Sequence, residues 1–195
     1  MILKNILRLA LMTIIFIVPL THFQAVAQEG SMSDGYVFLK AVKNKDYSKV
    51  KNYLQKGTNV NTRSYDDGVT ALYLAATMKD TIMTTFLLDK KANADIPKRS
   101  TGETPLMVSV RLKSSKIIAM LVSQNCDVNI SDRHGETALY KAIRSNNRDA
   151  VKTLLKANAD WSIADNTGRT PLDLAKEDRR LKQMIGLLED AGAEY

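Results

Sequence analysis

The chain has 195 residues, 45% apolar and 25% charged, with 28 Lys and Arg against 21 Asp and Glu and a formal net charge of +7. That composition fits one globular body. A single cysteine, Cys126, excludes an internal disulfide framework, a zinc ribbon and a paired redox motif.

The first segment differs from the rest. Lys4 and Arg8 lead into Leu9 to Leu20, an apolar run whose one polar residue is Thr13. These are the basic and apolar regions of an export signal. As a helix the run rises only about 18 Å, short of the roughly 30 Å of a bilayer's hydrocarbon core. Pro19 ends it, and Ala25-Val26-Ala27 offers the small residues a signal peptidase needs, so residues 1–27 are expected to be removed. The product would be periplasmic or secreted, with 168 residues starting at Gln28 and a net charge of +5 once Lys4 and Arg8 are gone. An uncleaved anchor is the alternative; a lipoprotein lacks its cysteine.

After a short tail, 28–33, the sequence repeats itself. The first unit, about 34–66, carries Tyr36-Val37-Phe38-Leu39, then Asn52-Tyr53-Leu54, and is studded with Lys40, Lys43, Lys45, Lys49, Lys51 and Lys56. Four units follow, at about 67–100, 101–133, 134–166 and 167–195. They open on Gly68-Val69-Thr70-Ala71-Leu72, Gly102-Glu103-Thr104-Pro105-Leu106, Gly135-Glu136-Thr137-Ala138-Leu139 and Gly168-Arg169-Thr170-Pro171-Leu172, the glycines 34, 33 and 33 residues apart. A second block recurs in phase: Phe86-Leu87-Leu88, Met120-Leu121-Val122, Thr153-Leu154-Leu155 and Gly186-Leu187-Leu188.

These motifs resemble the ankyrin repeat, with its Gly-x-Thr-Pro-Leu-His-x-Ala opening and Leu-Leu second helix, over 34–195. The resemblance implies an all-α solenoid of about five helix-turn-helix repeats joined by hairpin loops. Thr70, Thr104, Thr137 and Thr170 suit helix N-caps, and Pro105 and Pro171 the first helical position. Small residues such as Ala75, Ala76, Ser109 and Ala142 let inner helices approach, while Ile82, Phe86 and Leu87, Ile117, Met120 and Leu121, and Val151, Leu154 and Leu155 supply a buried outer-helix stripe. Gly57, Asn125 and Asn158 fit a left-handed helix end; Lys91, in the same register, implies strain or a changed turn. The loops before Gly68 and Gly102 are one residue longer than the later two, so those tips should differ in shape. The run Lys176 to Arg180 gives the last unit a polar outer face, as a terminal repeat requires.

No catalytic constellation stands out: in the processed chain His134 is the one histidine, and no Gly-rich phosphate loop is present. His134 is expected in a turn, and Cys126 as a buried stand-in for the Ala92, Ala159 and Ala193 of other units. Asn129-Ile130-Ser131 matches a glycosylation acceptor, but Asn129 also holds the family's usual Asn. The resemblance therefore implies a non-enzymatic module without cofactor, acting as a monomer that binds a protein partner through hairpin tips and inner helices. Matching by position gives Arg63, Tyr65, Lys98, Arg99 and Arg133 on the tips, and Tyr73, Met107, Arg111, Tyr140 and Arg144 on the inner helices. None of the four copies keeps the family's His, whose place Tyr73, Met107, Tyr140 and Asp173 take. Tyr73, Met107 and Tyr140 either pack beneath the hairpins or form an aromatic strip flanked by arginines; Trp161 either fills a gap or is an exposed anchor.

Charge by unit runs +4, +1, +1, +1 and −1. The alternative function is accordingly an envelope structural protein, held at the membrane surface by an uncleaved start or weakly by the basic first repeat. Nucleic acid is not an expected partner, the excess being small and no reader motif being present. N-terminal sequencing of the exported protein should return Gln28 as the first residue; Met1 in the membrane fraction would instead establish an anchor.

Overall fold

Each threonine of the repeated opening starts a helix. Thr70, Thr104, Thr137 and Thr170 keep extended backbones while their side chains accept from the amides of Tyr73, Met107, Tyr140 and Asp173. Pro105 and Pro171 stand at the first helical position, where a missing N–H costs no bond. The computed structural model describes residues 33–193. The expected leader and its cleavage point lie outside the described residues.

Within them the helices run α1 (Asp34–Lys43), α2 (Tyr47–Gln55), α3 (Ala71–Thr77), α4 (Thr81–Asp89), α5 (Pro105–Arg111), α6 (Ser115–Ser123), α7 (Ala138–Arg144), α8 (Arg148–Lys156), α9 (Pro171–Glu177) and α10 (Lys182–Glu189), with a 3-10 turn at Arg179–Leu181. Each odd helix packs on the even helix that follows it and on the next odd helix, giving five two-helix units in one row. Apart from one bridge between Arg63 and Thr70, no strand pairing is present among the described residues. The fold is the all-α repeat solenoid that the motifs implied.

The inner helices are short and almost wholly buried because their side chains are small where neighbours meet. Ala71, Ala75, Ala76, Val108, Ser109, Val110 and Ala142 are fully excluded from solvent. The outer helices bury one stripe: Met83 and Leu87 on α4, Ile117 and Leu121 on α6, Val151 and Leu154 on α8. Ile82 departs from the expected stripe and is 69% exposed. Counted from the repeat glycine, Ile82 matches Lys116 and Asp149, whereas the partner of Ile117 is Met83; at Ile82 the expected stripe is off by one residue.

Each inner helix of units one to four ends in the same reversal. Lys45, Lys79, Lys113 and Asn146 take left-handed backbones (φ +52 to +56), and the next amide reaches back across the turn, as Asp46 does to the Ala41 carbonyl and Asp80 to that of Ala75. Asp46, Asp80 and Asn147 then cap the outer helices. Lys91, too, is left-handed at φ +63, so the ordinary turn is retained with a lysine in the place glycine prefers.

Two lines of hydrogen bonds stitch the units together. Along the hairpins, the amides of Arg99, Arg133 and Asn166 donate to the carbonyls of Asp67, Thr101 and His134. Along the inter-repeat loops, the side chains of Asn61, Asp95 and Asn129 accept from the amides of Asn93, Asp127 and Asp160. Asn129 thus has a structural task that accounts for its place in the Asn-Ile-Ser triplet. The tips differ as their lengths implied: Ser64 and Lys98 donate to the carbonyl five residues on, Asp132 and Asp165 to the carbonyl four residues on.

The hairpin joint also explains the glycines. A Cβ at Gly135 (φ +77) would lie 2.7 Å from the Asn166 amide nitrogen, whereas at Gly168 (φ +83), which no later hairpin adjoins among the described residues, it would meet nothing within 4 Å. Gly168→Ala should therefore cost about 1 kcal/mol for the left-handed backbone, and Gly135→Ala roughly 2–4 kcal/mol because crowding adds to it. Urea denaturation of the two variants checks this; equal losses would mean that the joint yields.

Candidate functional site

The hairpins and inner helices form one concave side, and buried carboxylates fasten the two together. Glu103, directly after the repeat glycine, receives the Tyr73 hydroxyl at 2.8 Å and both ends of the Arg111 guanidinium at 2.9 and 3.0 Å. In the next unit Glu136 takes Lys141 Nζ at 2.9 Å and Arg144, and Lys141 also meets Asp132 at 2.6 Å. One unit further the polarity inverts: Arg169 follows the glycine and reaches Glu177 at 3.2 Å and Asp165 at 3.4 Å. Asp165 accepts from the Tyr140 hydroxyl at 2.6 Å and from Thr167.

The protonation of this network follows from its contacts. Burial alone would raise the Glu103 carboxyl, but Arg111 and Tyr73 outweigh it and hold the group below its ordinary value. Asp132 is likewise lowered, its burial offset by Lys141 and by the amides of His134 and Glu136. The hydroxyls of Thr167 and Tyr140 bring Asp165 down further. Burial, then the facing Asp165, pushes the Tyr140 phenol up to about 12. Glu103, Asp132 and Asp165 are thus held as carboxylates, each answered where it lies by cations, hydroxyls or amides, and they fasten hairpin to helix.

The residues singled out from the sequence divide into three groups. Tyr73, Met107 and Tyr140 are buried, so no exposed aromatic strip forms; they pack beneath the hairpins, and the two tyrosines spend their hydroxyls on Glu103 and Asp165. Arg111 and Arg144 leave about half of each side chain in solvent while binding Glu103 and Glu136. Arg63, Tyr65, Lys98, Arg99 and Arg133 line the tips. There Lys98 pairs with Asp67 at 3.0 Å, Arg63 donates to the Pro97 carbonyl at 2.7 Å, and Arg133 donates to the Arg99 carbonyl. Tyr65 is 95% exposed. His134 is an exposed turn residue, its amide held by Asp132. Cys126 is buried, and burial followed by Asp95 and Asp127 pushes its thiol up to about 12. Trp161 packs half-buried against the core.

Sequence reasoning missed the carboxylate network. Its signal is an in-phase pair, the residue after the glycine and the one eight positions on: Glu103 with Arg111, Glu136 with Arg144, Arg169 with Glu177. Among the described residues no group of three His, Cys, Asp or Glu side chains is placed to hold a metal ion. Nor is any described helix long and apolar enough to cross a membrane.

The fold and this concave side define a repeat scaffold whose ionisable groups serve its own construction. Two family models match the chain: ankyrin repeats (3 copies) over 38–132 and ankyrin repeats (many copies) over 120–175. The chain belongs to the ankyrin repeat family, whose members are generally protein–protein interaction modules and typically not enzymes.

Breaking one fastener has a pH signature. A carboxylate whose folded value lies below its unfolded one, about 4.3 for Glu, stabilises above that range and loses the contribution as pH falls through the folded value. Arg111→Met should cost about 1–2 kcal/mol at pH 7, less than a fully buried pair because Arg111 is half in water. The gap between wild type and variant should close as pH falls through the lowered folded value of Glu103; a gap independent of pH in urea denaturation would contradict the assignment.

Proposed function

We propose that this protein is an exported, non-enzymatic module that holds one protein partner on its concave side, working as a monomer without a cofactor. Support for export comes from the leader-like start; support for binding comes from the family. The observation that carries the surface assignment is the contrast between locked backbone and solvent-exposed side chains at the tips. Tyr65, Arg99, Arg133 and His134 are exposed on hairpins whose amides are bonded one to the next. A partner meeting such a surface finds it already ordered, so little conformational entropy is lost on binding.

In this reading the contacts are Arg63, Tyr65, Lys98, Arg99 and Arg133, with the outer halves of Arg111 and Arg144. Tyr73, Met107 and Tyr140 support the surface from below. Arg and Tyr supply directional hydrogen bonding and large contact area, the residue types that dominate interface energies.

A photo-crosslinking residue placed at Arg133 or at Lys152, on the exposed side of α8, tests the assignment in the cells that make the protein. A partner protein should be captured from Arg133 and not from Lys152. Arg99→Ala with Arg133→Ala should weaken capture and leave the thermal midpoint unchanged, while adding Arg144→Ala should lower the midpoint, since Glu136 loses a partner. Capture from neither position, with the protein recovered in the membrane pellet, would replace this reading by attachment at the envelope surface.

A further inference from the structure

The concave side changes electrostatic character along its length. From the third unit onward its cations, the tip residue Arg133 excepted, are matched by carboxylates: Arg111 by Glu103, Lys141 by Asp132 and Glu136, Arg144 by Glu136, Arg169 by Asp165 and Glu177. At the N-terminal end the groove is open, about 1430 Å³, and lined by Lys40, Lys43, Arg63, Lys98 and Arg99 against only Asp66 and Asp67. Of these, only Lys98 and Asp67 pair with each other.

Two of the unmatched cations are held in place by neutral groups. Arg63 donates through Nε to the Gly68 carbonyl at 3.1 Å and through Nη2 to that of Pro97 at 2.7 Å, leaving Nη1 unspent. Arg99 donates through Nη1 to the Tyr65 carbonyl at 3.4 Å, leaving Nε and Nη2. A carbonyl fixes a guanidinium without cancelling its charge, so both arginines are oriented and still cationic. Lys40 and Lys43, in the last turn of α1, line the same groove. Tyr36 and Tyr65, 52% and 95% exposed, line the same groove.

We propose that this N-terminal groove binds an extended acidic segment of the partner protein, its carboxylates meeting Lys40, Lys43, Arg63 and Arg99 and its side-chain stems lying on Tyr36 and Tyr65. The proposal rests on the concave-surface reading above and narrows it to one end and one chemistry. Charge complementarity carries it. An extended chain also fits, because the cations come from two separate elements, α1 and the hairpin tips, that one narrow segment can touch together. Salt should weaken the contact, since the cations stand in water.

The test uses the full chain and a fluorescent peptide of about a dozen residues alternating Glu with Leu and Gly, long enough to cross the groove. Binding is followed by anisotropy at low and high salt, beside a Lys-for-Glu peptide and vesicles with and without phosphatidylglycerol. The acidic peptide should bind, and Lys40→Glu, Lys43→Glu and Arg99→Glu together should weaken it about tenfold or more. Lys152→Glu with Lys156→Glu, on the far side, should change it less than about twofold. Should the reversed variant fail to fold, Lys40→Gln, Lys43→Gln and Arg99→Gln serve in its place. No binding, equal loss in both variants, or binding of anionic vesicles but not of the peptide would overturn the proposal. If the reversed variant still crosslinks its partner from Arg133, the acidic-segment assignment falls and concave binding stands; if no position crosslinks, both fall.

Discussion

Everything in this molecule depends on surfaces that only a neighbouring repeat can cover. An inner helix of seven residues such as α5 has too little apolar area to fold alone, and α5 buries Val108, Ser109 and Val110 only because α3 and α7 lie against it. The small side chains bring the backbones close, and closeness is what allows the hairpin amides of one unit to reach the carbonyls of the unit before. Packing and hydrogen bonding are therefore one constraint seen twice. Where the constraint lapses, at the last hairpin, the space around Gly168 opens.

A polar seam sits on top of that apolar stack. Buried carboxylates are costly unless answered, and each here is answered from the inner helix of its own unit or by the turn that holds it. Glu103 with Arg111 and Arg169 with Glu177 perform the same fastening with opposite signs. The requirement is neutrality and reach across the hairpin base, not a particular residue. It follows that a side chain on the concave side can look like a ready contact and already be engaged, as Arg111 and Arg144 are, whereas Arg99 and Arg133 spend only neutral bonds.

Much of the architecture was legible in the primary structure because it is written four times in phase. Threonine caps, the prolines and the repeat glycines each have a local physical cause, and local causes survive without coordinates. The slip at Ile82 shows where that ends: with Met83 and Ile82 adjacent and both apolar, periodicity within α4 cannot choose between them, and only the register of the other units does. Tyr73 and Tyr140 were ambiguous for a related reason. A tyrosine is apolar enough to be buried and polar enough to be exposed, and its fate turns on whether a carboxylate thirty or twenty-five residues away lies over its hydroxyl. The candidate contacts Arg63 and Arg99 were visible as basic tip residues; that their guanidiniums rest on carbonyls was not, since Pro97 and Tyr65, which supply two of those carbonyls, belong to neighbouring hairpins.

The hairpin amides form a line with a direction. Each donor looks back toward the N-terminus, and the carbonyl of Thr167, equivalent to those of Asp67, Thr101 and His134, receives no backbone amide from a later hairpin within the described residues. Each hairpin of the row thus has two unlike sides, one that donates and one that accepts. A duplicated block of 33 or 34 residues could be added at the C-terminal side and meet an acceptor already in place, while a block of another length would break the phase of caps and glycines together. Lengthening by whole units is open to such a chain in evolution; growth by single residues is confined to the tips, where the first two hairpins have already taken one each.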